Sequence, residues 1–94
     1  MIFEWDENKN RTNKTKHGVD FAAASHVFED SLLASRVERI VNGEERWQTI
    51  GMSEGLLLLL VVHLFHLDDE ITVRIISARK ADKHERKRYE EGTF

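Results

Sequence analysis

The stretch ITVRIISARK, residues Ile71 to Lys80, has the clearest strand pattern of this chain. Apolar residues recur in it with the period of two that is typical of a β-strand. On this period Val73 and Ser77 share one face of the strand. Arg74 and Ala78 lie on the opposite face. A lone arginine on such a strand either reaches the sheet edge or lines a groove for an anion, so the segment predicts a cation on one face of a sheet.

Two more cations, Arg79 and Lys80, stand where this strand ends. Asp82, with Glu85 three residues later, has the pattern of a capping box, which predicts that a helix begins here and runs to Glu91. The strand therefore delivers its cations to the beginning of a C-terminal helix.

Length and composition describe one globular domain over residues 1–94, with 40% hydrophobic and 33% charged residues. The absence of cysteine excludes disulfides and thiolate metal sites. The longest apolar run, Leu56 to Val62, is far shorter than the roughly 20 residues that a membrane helix needs. Acidic residues appear too early in the chain for a signal peptide. We therefore expect a soluble cytoplasmic protein with no membrane segment, and we predict no metal site and no cofactor.

Charge is unevenly distributed, although the net charge is only -3. Residues 1–19 and 74–91 are basic, whereas residues 20–70 hold three cations against ten acids. Such asymmetry would let one surface meet an anionic polymer and another meet a basic protein, and it is also compatible with an ordinary solvated surface.

Three further strands are predicted before the first one described, and turn signals separate them. Their ranges are Leu32 to Ile40, Glu45 to Gly51 and Leu56 to Leu67. The run from Leu56 to Val62 is apolar at every position, which indicates a central strand buried on both faces. His63 and His66 have opposite parity, so at most one of them faces the core.

Two helices are predicted nearer the beginning of the chain, after a short strand at Ile2 to Trp5. Asp6 and Asp20 are suitable N-cap residues for them. The first helix runs to Lys16 and contains no apolar residue. Its spacing places Lys9, Asn13 and Lys16 on one face.

This order of elements predicts an α+β fold. We expect an antiparallel sheet of about four strands, with the N-terminal helices packed on one face and a C-terminal helix. The other face of the sheet is expected to remain open, with cations along it.

Six motifs occur in order along nearly the whole chain. They are FEWDENK (Phe3 to Lys9), KHGVDF (Lys16 to Phe21), VFED (Val27 to Asp30), GEERWQTIG (Gly43 to Gly51), RIISARKA (Arg74 to Ala81) and RKRYEEG (Arg86 to Gly92). Together they resemble the BrnT toxins of bacterial BrnT/BrnA type II toxin-antitoxin systems. The resemblance implies a RelE-like fold and an endoribonuclease that cleaves RNA and arrests translation and growth.

The same resemblance implies a protein partner. This is a BrnA-type antitoxin with a ribbon-helix-helix DNA-binding domain, through which the complex would reach its operator DNA. Two toxin copies could meet as a homodimer within such a complex. An alternative is a catalytically inactive binding module that only holds the antitoxin and supports repression of the operon.

Metal-independent RNA cleavage needs a base, an acid and fixed positive charge at the phosphate. We expect Arg46 and Arg74 to clamp the scissile phosphate, with support from Arg79, because arginine binds phosphate with a planar fork and keeps its charge. His17 is the candidate acid or base, since the adjacent Lys16 favours the neutral imidazole. Alternatively, His17 only ends a helix.

Substrate contacts are expected from three lysines and two aromatic residues. Lys9, Lys16 and Lys80 would contact the RNA backbone. Trp47 could stack on a base, and Tyr89 could donate a proton from the last helix, although packing in the core is the alternative for both.

Overall fold

The computed structural model describes residues 1–94 and contains five strands, three α-helices and one short 3₁₀-helix. In chain order these are β1 (Ile2–Glu4), α1 (Glu7–His17), α2 (Phe21–Ser25), the 3₁₀-helix (His26–Glu29), β2 (Ala34–Val41), β3 (Glu44–Ser53), β4 (Leu57–Leu67), β5 (Ile71–Lys80) and α3 (Lys83–Glu91). No helix has the length and apolar character that crossing a membrane requires.

All five strands form one mixed sheet in the order β1-β5-β4-β3-β2. Strands β2 to β5 form the expected antiparallel meander, and the α+β class is confirmed. The count of about four strands is wrong, because β1 joins the sheet in parallel with β5. Strand β1 has only three residues, and so short a sequence does not indicate the strand with which it pairs.

One face of the sheet, here called the helix face, carries the main core. Phe21, Ala24 and Val27 pack there against β4 and β5, and all three are fully buried. Gly51 permits this contact, since a Cβ at that position would lie 2.9 Å from the Cγ1 atom of Val27. The central strand is buried on both faces between Leu58 and Val61, as its apolar run predicts.

A β-bulge in β5 changes which residues share a face. Val62 pairs with Ser77 while the next residue, His63, pairs with Ile75, so Ile76 is an extra residue in β5. The simple alternation predicted from the sequence is therefore wrong beyond this point. Ala78 lies in the core of the helix face, and Ser77 lies on the opposite face.

The opposite face, here called the cationic face, is open over only part of its length. At one end α3 covers it, and Tyr89 and Phe94 pack against a small apolar cluster of Ile50, Leu58 and Leu60. The expectation of a fully open face is corrected accordingly. Asp82 and Glu85 form the predicted capping box of α3, and Asp6 caps α1 as predicted.

Candidate active site

Arginines from three strands form a row across the cationic face. Arg39 of β2 pairs with Arg46 of β3, and Leu64 of β4 pairs with Arg74 of β5. Trp47 pairs with His63, so the next residues along these antiparallel strands, Arg46 and Leu64, also face each other. The row continues to the edge strand, where Glu4 pairs with Arg74. Arg46 and Arg74 thus share one face and one row, as the predicted clamp requires.

Sheet geometry sets the span of this row. Neighbouring strands lie about 4.8 Å apart, so the backbones of Arg46 and Arg74 are roughly 10 Å apart with Leu64 between them. Arginine side chains are long enough to converge over the Leu64 side chain, which is nearly fully buried. The arrangement suits one phosphate group held from two sides.

The three arginines of the row differ in their partners. Arg74 contacts Glu4 at 3.5 Å between Nη1 and Oε1. Arg39 contacts its neighbour Glu38 at 3.6 Å between Nε and Oε1. Arg46 has no carboxylate within 4.0 Å, which leaves it as the uncompensated cation of the row.

His66 lies beside this row, two residues along β4 from Leu64 and on the same face. Its Nε2 atom is 3.4 Å from Oε2 of Glu44. Its Nδ1 atom is 4.0 Å from the Glu4 carboxylate oxygen that also meets Arg74. The imidazole of His66 therefore lies between two carboxylates and beside the arginine row.

Arg79 also lies on the cationic face, nearer α3, but it is already paired. Its guanidinium donates two hydrogen bonds to Glu85, at 2.8 and 2.9 Å. The hydrogen bond with Glu85 raises the pKa of Arg79, and the same contact lowers the pKa of Glu85; partial burial opposes both shifts. Arg79 therefore offers less free charge to a phosphate than Arg46 does.

His17, Lys9 and Lys16 form a separate group. They line a surface cleft of about 310 Å³ between α1 and β5, together with Ile76 and Ser77. The three predicted residues are thus brought together, and Asn13 shares their helix face as expected. Neither Arg46 nor Arg74 lines this cleft.

The two predicted aromatic contacts and Lys80 lie away from the arginine row. Trp47 points to the helix face, where its ring packs edge-on against Phe65 at 5.2 Å between centroids. Lys80 is exposed at the end of β5 on that same face.

Tyr89 makes a hydrogen bond to a carboxylate within the protein. Its hydroxyl donates a 2.5 Å hydrogen bond to Asp30, and burial together with this bond raises the pKa of Tyr89 to about 12. Partial burial alone would raise the pKa of Asp30, but hydrogen bonds from Met52, Tyr89 and Leu32 outweigh it and lower that pKa. The pair ties α3 to the loop before β2.

His63 is structural in this fold. It is fully buried and packs against Phe28 and Phe65. Its Nε2 atom lies 2.7 Å from the Thr49 hydroxyl, which in turn lies 2.7 Å from the Ser35 hydroxyl. Burial lowers the pKa of His63 to about 4, so the imidazole is neutral at physiological pH.

Sequence reasoning missed three residues of the cationic face, Arg39, Glu4 and His66. The parity of His66, opposite to that of His63, was the one signal available for it. No pattern indicates the position of Arg39, because a bulge between Val37 and Arg39 sets the register of β2.

Comparisons with known proteins give a consistent result. A family model described as "Ribonuclease toxin, BrnT, of type II toxin-antitoxin system" matches residues 5–85. The crystal structure of the Brucella abortus ribonuclease toxin BrnT is similar to this chain, with a TM-score of 0.61 and 28% sequence identity. That similarity covers 88% of this chain and 100% of the Brucella chain. No curated protein matches the sequence. The chain belongs to the BrnT family of ribonuclease toxins of type II toxin-antitoxin systems.

Proposed function

We propose that this chain is a metal-independent endoribonuclease whose cationic face binds and cleaves RNA. The observation that supports this most directly is the direct pairing of Arg39 with Arg46 across two strands. Like charges at such positions destabilise a sheet, so the pairing is expected where an anion binds above it. The single carboxylate near Arg39 does not compensate Arg46.

The proposed reaction uses the ribose 2′-hydroxyl of RNA as the nucleophile. Attack of this oxygen on phosphorus breaks the bond to the 5′-oxygen and leaves a 2′,3′-cyclic phosphate and a 5′-hydroxyl. Arg46 and Arg74 hold the phosphate from both sides and stabilise the negative charge that develops on it. Their fixed charge replaces that of a metal ion in this scheme.

Proton transfer is assigned to His66, which accepts the proton of the 2′-hydroxyl and releases it to the departing 5′-oxygen. Glu44, 3.4 Å from the Nε2 atom of His66, orients the ring. Histidine is suited to this role at neutral pH because it can both accept and release a proton there. His17, the candidate from the sequence, sits in the cleft beside α1. That cleft, with Lys9 and Lys16, suits contacts to the RNA backbone next to the cleavage site.

Cleavage of RNA by purified, antitoxin-free protein in the presence of a chelator tests the proposal. We expect Arg46→Ala and Arg74→Ala each to lower the cleavage rate by about 100-fold while the thermal melt stays close to wild type. Arg86→Ala is the matched control, because Arg86 is an exposed arginine on α3 away from the row. Wild-type rates in both row variants would refute the site.

A second comparison separates the two histidines. His66→Ala should lower the cleavage rate at saturating RNA. His17→Ala should weaken RNA binding with a smaller effect on that rate. The reverse pattern would return the acid or base role to His17.

In cells, the proposed activity arrests translation and growth, and a BrnA-type antitoxin with a ribbon-helix-helix domain neutralises it. Family membership supports a partner of this kind. Induced expression of wild type should degrade cellular RNA and stop growth, and co-expression of the antitoxin should restore both. Intact RNA and normal growth after wild-type expression would instead favour a binding module without catalysis.

A further inference from the structure

An exposed apolar surface lies on the helix face, at the end of the sheet that the helices leave uncovered. It is formed by side chains from four adjacent strands and is called the apolar tip. Its members are Val37, Ile40, Trp47, Phe65, Leu67 and Ile71. Ile40 and Leu67 are 66% and 73% exposed, which is unusual for large aliphatic residues that share one surface.

The register of the strands shows that these side chains are contiguous. Val37 pairs with Trp47, and Leu67 pairs with Ile71. Trp47, Phe65 and Leu67 line one surface depression of about 380 Å³. The apolar tip is therefore one surface with an indentation and two half-buried aromatic rings, which is the composition of an interface core.

Carboxylates border the apolar tip. Glu44 and Glu45 line the same depression, and Asp68, Asp69 and Glu70 form the turn between β4 and β5 at the same end of the sheet. No lysine occurs between residues 20 and 70. The N-terminal amine, 3.4 Å from Glu70, is the one cation that contacts this turn.

An apolar surface with an acidic border restricts the kind of molecule that can bind to the apolar tip. An acidic border disfavours RNA and anionic lipid surfaces, since both are negatively charged. Two copies of the chain facing each other through this surface would bring their acidic borders together. A segment with apolar side chains on one side and lysine or arginine around them is complementary in both respects.

We propose that the apolar tip binds a basic, amphipathic segment of the antitoxin. This rests on the proposed function only in that the partner is a toxin-neutralising protein. The surface lies on the face of the sheet opposite to the arginine row, and of the residues that border it only Glu44 also belongs to the proposed cleavage site. Partner affinity and nuclease activity can therefore be measured and altered separately.

The test measures binding of the cognate antitoxin to the purified full-length chain by titration calorimetry at two salt concentrations. We expect Leu67→Glu and Ile40→Glu each to weaken binding by at least about tenfold, because each places a charge in a desolvated contact. The double variant Asp68→Lys, Asp69→Lys should also weaken binding and reduce its salt dependence.

Leu56→Glu is the matched control. Leu56 is 79% exposed, but it lies at the turn between β3 and β4, at the opposite end of the sheet. The Leu56→Glu variant should bind the antitoxin with the same affinity as wild type. Wild-type affinity of both apolar-tip variants, or a loss confined to Leu56→Glu, would overturn the proposal.

Two further measurements separate this proposal from its alternatives. Light scattering of the antitoxin-free chain should give the same mass for wild type and Leu67→Glu; a dimer that Leu67→Glu abolishes would assign the surface to a second copy and overturn the proposal. RNA cleavage by Leu67→Glu should equal that of wild type. Absence of cleavage in wild type itself would refute the nuclease while the binding result stands.

Discussion

Asn13 lies on a helix, yet it bonds to Ala78 as a residue of a neighbouring strand would. Its side-chain amide donates to the Ala78 carbonyl at 2.8 Å, and its side-chain carbonyl accepts from the Ala78 N–H at 3.1 Å. The same amide also donates to the carbonyl of Val19 at 2.8 Å. Because β1 covers β5 only up to Arg74, Asn13 continues the pairing of the strand edge beyond it.

Replacing Asn13 by alanine should therefore destabilise the fold. The change leaves buried backbone groups of Ala78 and Val19 unpaired, which we expect to cost about 2–4 kcal/mol of unfolding free energy. Urea denaturation followed by circular dichroism measures it. Thr15→Ala, at an exposed position of the same helix, should stay within about 0.5 kcal/mol of wild type. An equal effect of both variants would contradict the role of Asn13.

Arg39→Gln should stabilise the protein while weakening its binding to RNA. Removing one of two paired like charges is expected to raise the unfolding free energy by about 0.2–1 kcal/mol. The loss of one phosphate contact should reduce the salt dependence of RNA binding by about 0.7 in the log–log slope. Denaturation and fluorescence anisotropy with an uncleavable oligonucleotide measure the two effects. Arg11→Gln, which changes the net charge equally outside the row, should produce neither effect.

Glu85→Gln should strengthen RNA binding by releasing Arg79. The amide oxygen of glutamine can still accept the capping hydrogen bond from the Asp82 N–H, which Glu85 accepts at 2.9 Å. Arg79 loses its ion pair and can contact a phosphate, which should steepen the salt dependence of binding by about 0.7 in the log–log slope. Glu90→Gln on the same helix makes the same change in net charge at an exposed position. Equal affinities of the two variants would show that Arg79 stays out of reach of RNA.

The stability of the protein should fall between pH 6.5 and pH 4 partly because of His63. In this range the unfolded chain protonates this histidine, whereas the folded chain keeps it neutral until the pH approaches its lowered pKa of about 4. The unfolded state then binds more protons, so the free energy of unfolding decreases as the pH falls, by up to roughly 3 kcal/mol.

Comparing His63→Gln with wild type at several pH values isolates this contribution. The variant should lose less stability than wild type between pH 7 and pH 4.5, because carboxylates titrate in both proteins and His63 in only one. His84→Gln, at an exposed position of α3, should retain the wild-type pH dependence. Parallel curves for wild type and His63→Gln would contradict the buried neutral imidazole.

Local signals in the sequence were sufficient to predict the helices and the main strands, but not every detail of how the strands pair. Capping by Asp6 and Asp82 is encoded within four residues, so the beginnings of α1 and α3 could be predicted. The two-residue period placed Arg74 opposite the core correctly. The bulge at Ile76 depends on how β4 and β5 pair, and no pattern within β5 indicates it.

The candidate site shows the same limit. Arg46 and Arg74 were predicted as a pair because both stand on strands of one sheet, and the register places them in one row. Trp47 and Tyr89 were assigned by residue type alone, and their contacts to Phe65 and Asp30 depend on packing between elements distant in the sequence. The alternation of side chains along one strand shows which residues share a face. It does not show which of the two faces of the sheet a helix or a partner protein will cover.

Strand β3 presents neighbouring residues to opposite faces, with Arg46 toward the arginine row and Glu45 and Trp47 toward the apolar tip. Point substitutions can therefore modify one surface during evolution without altering the other. A single inserted or deleted residue within the strand would instead exchange the two sets of side chains and damage both surfaces at once. Length changes should accordingly be confined to the turns at Asn42–Gly43 and Asp68–Glu70, while the strands diverge by substitution.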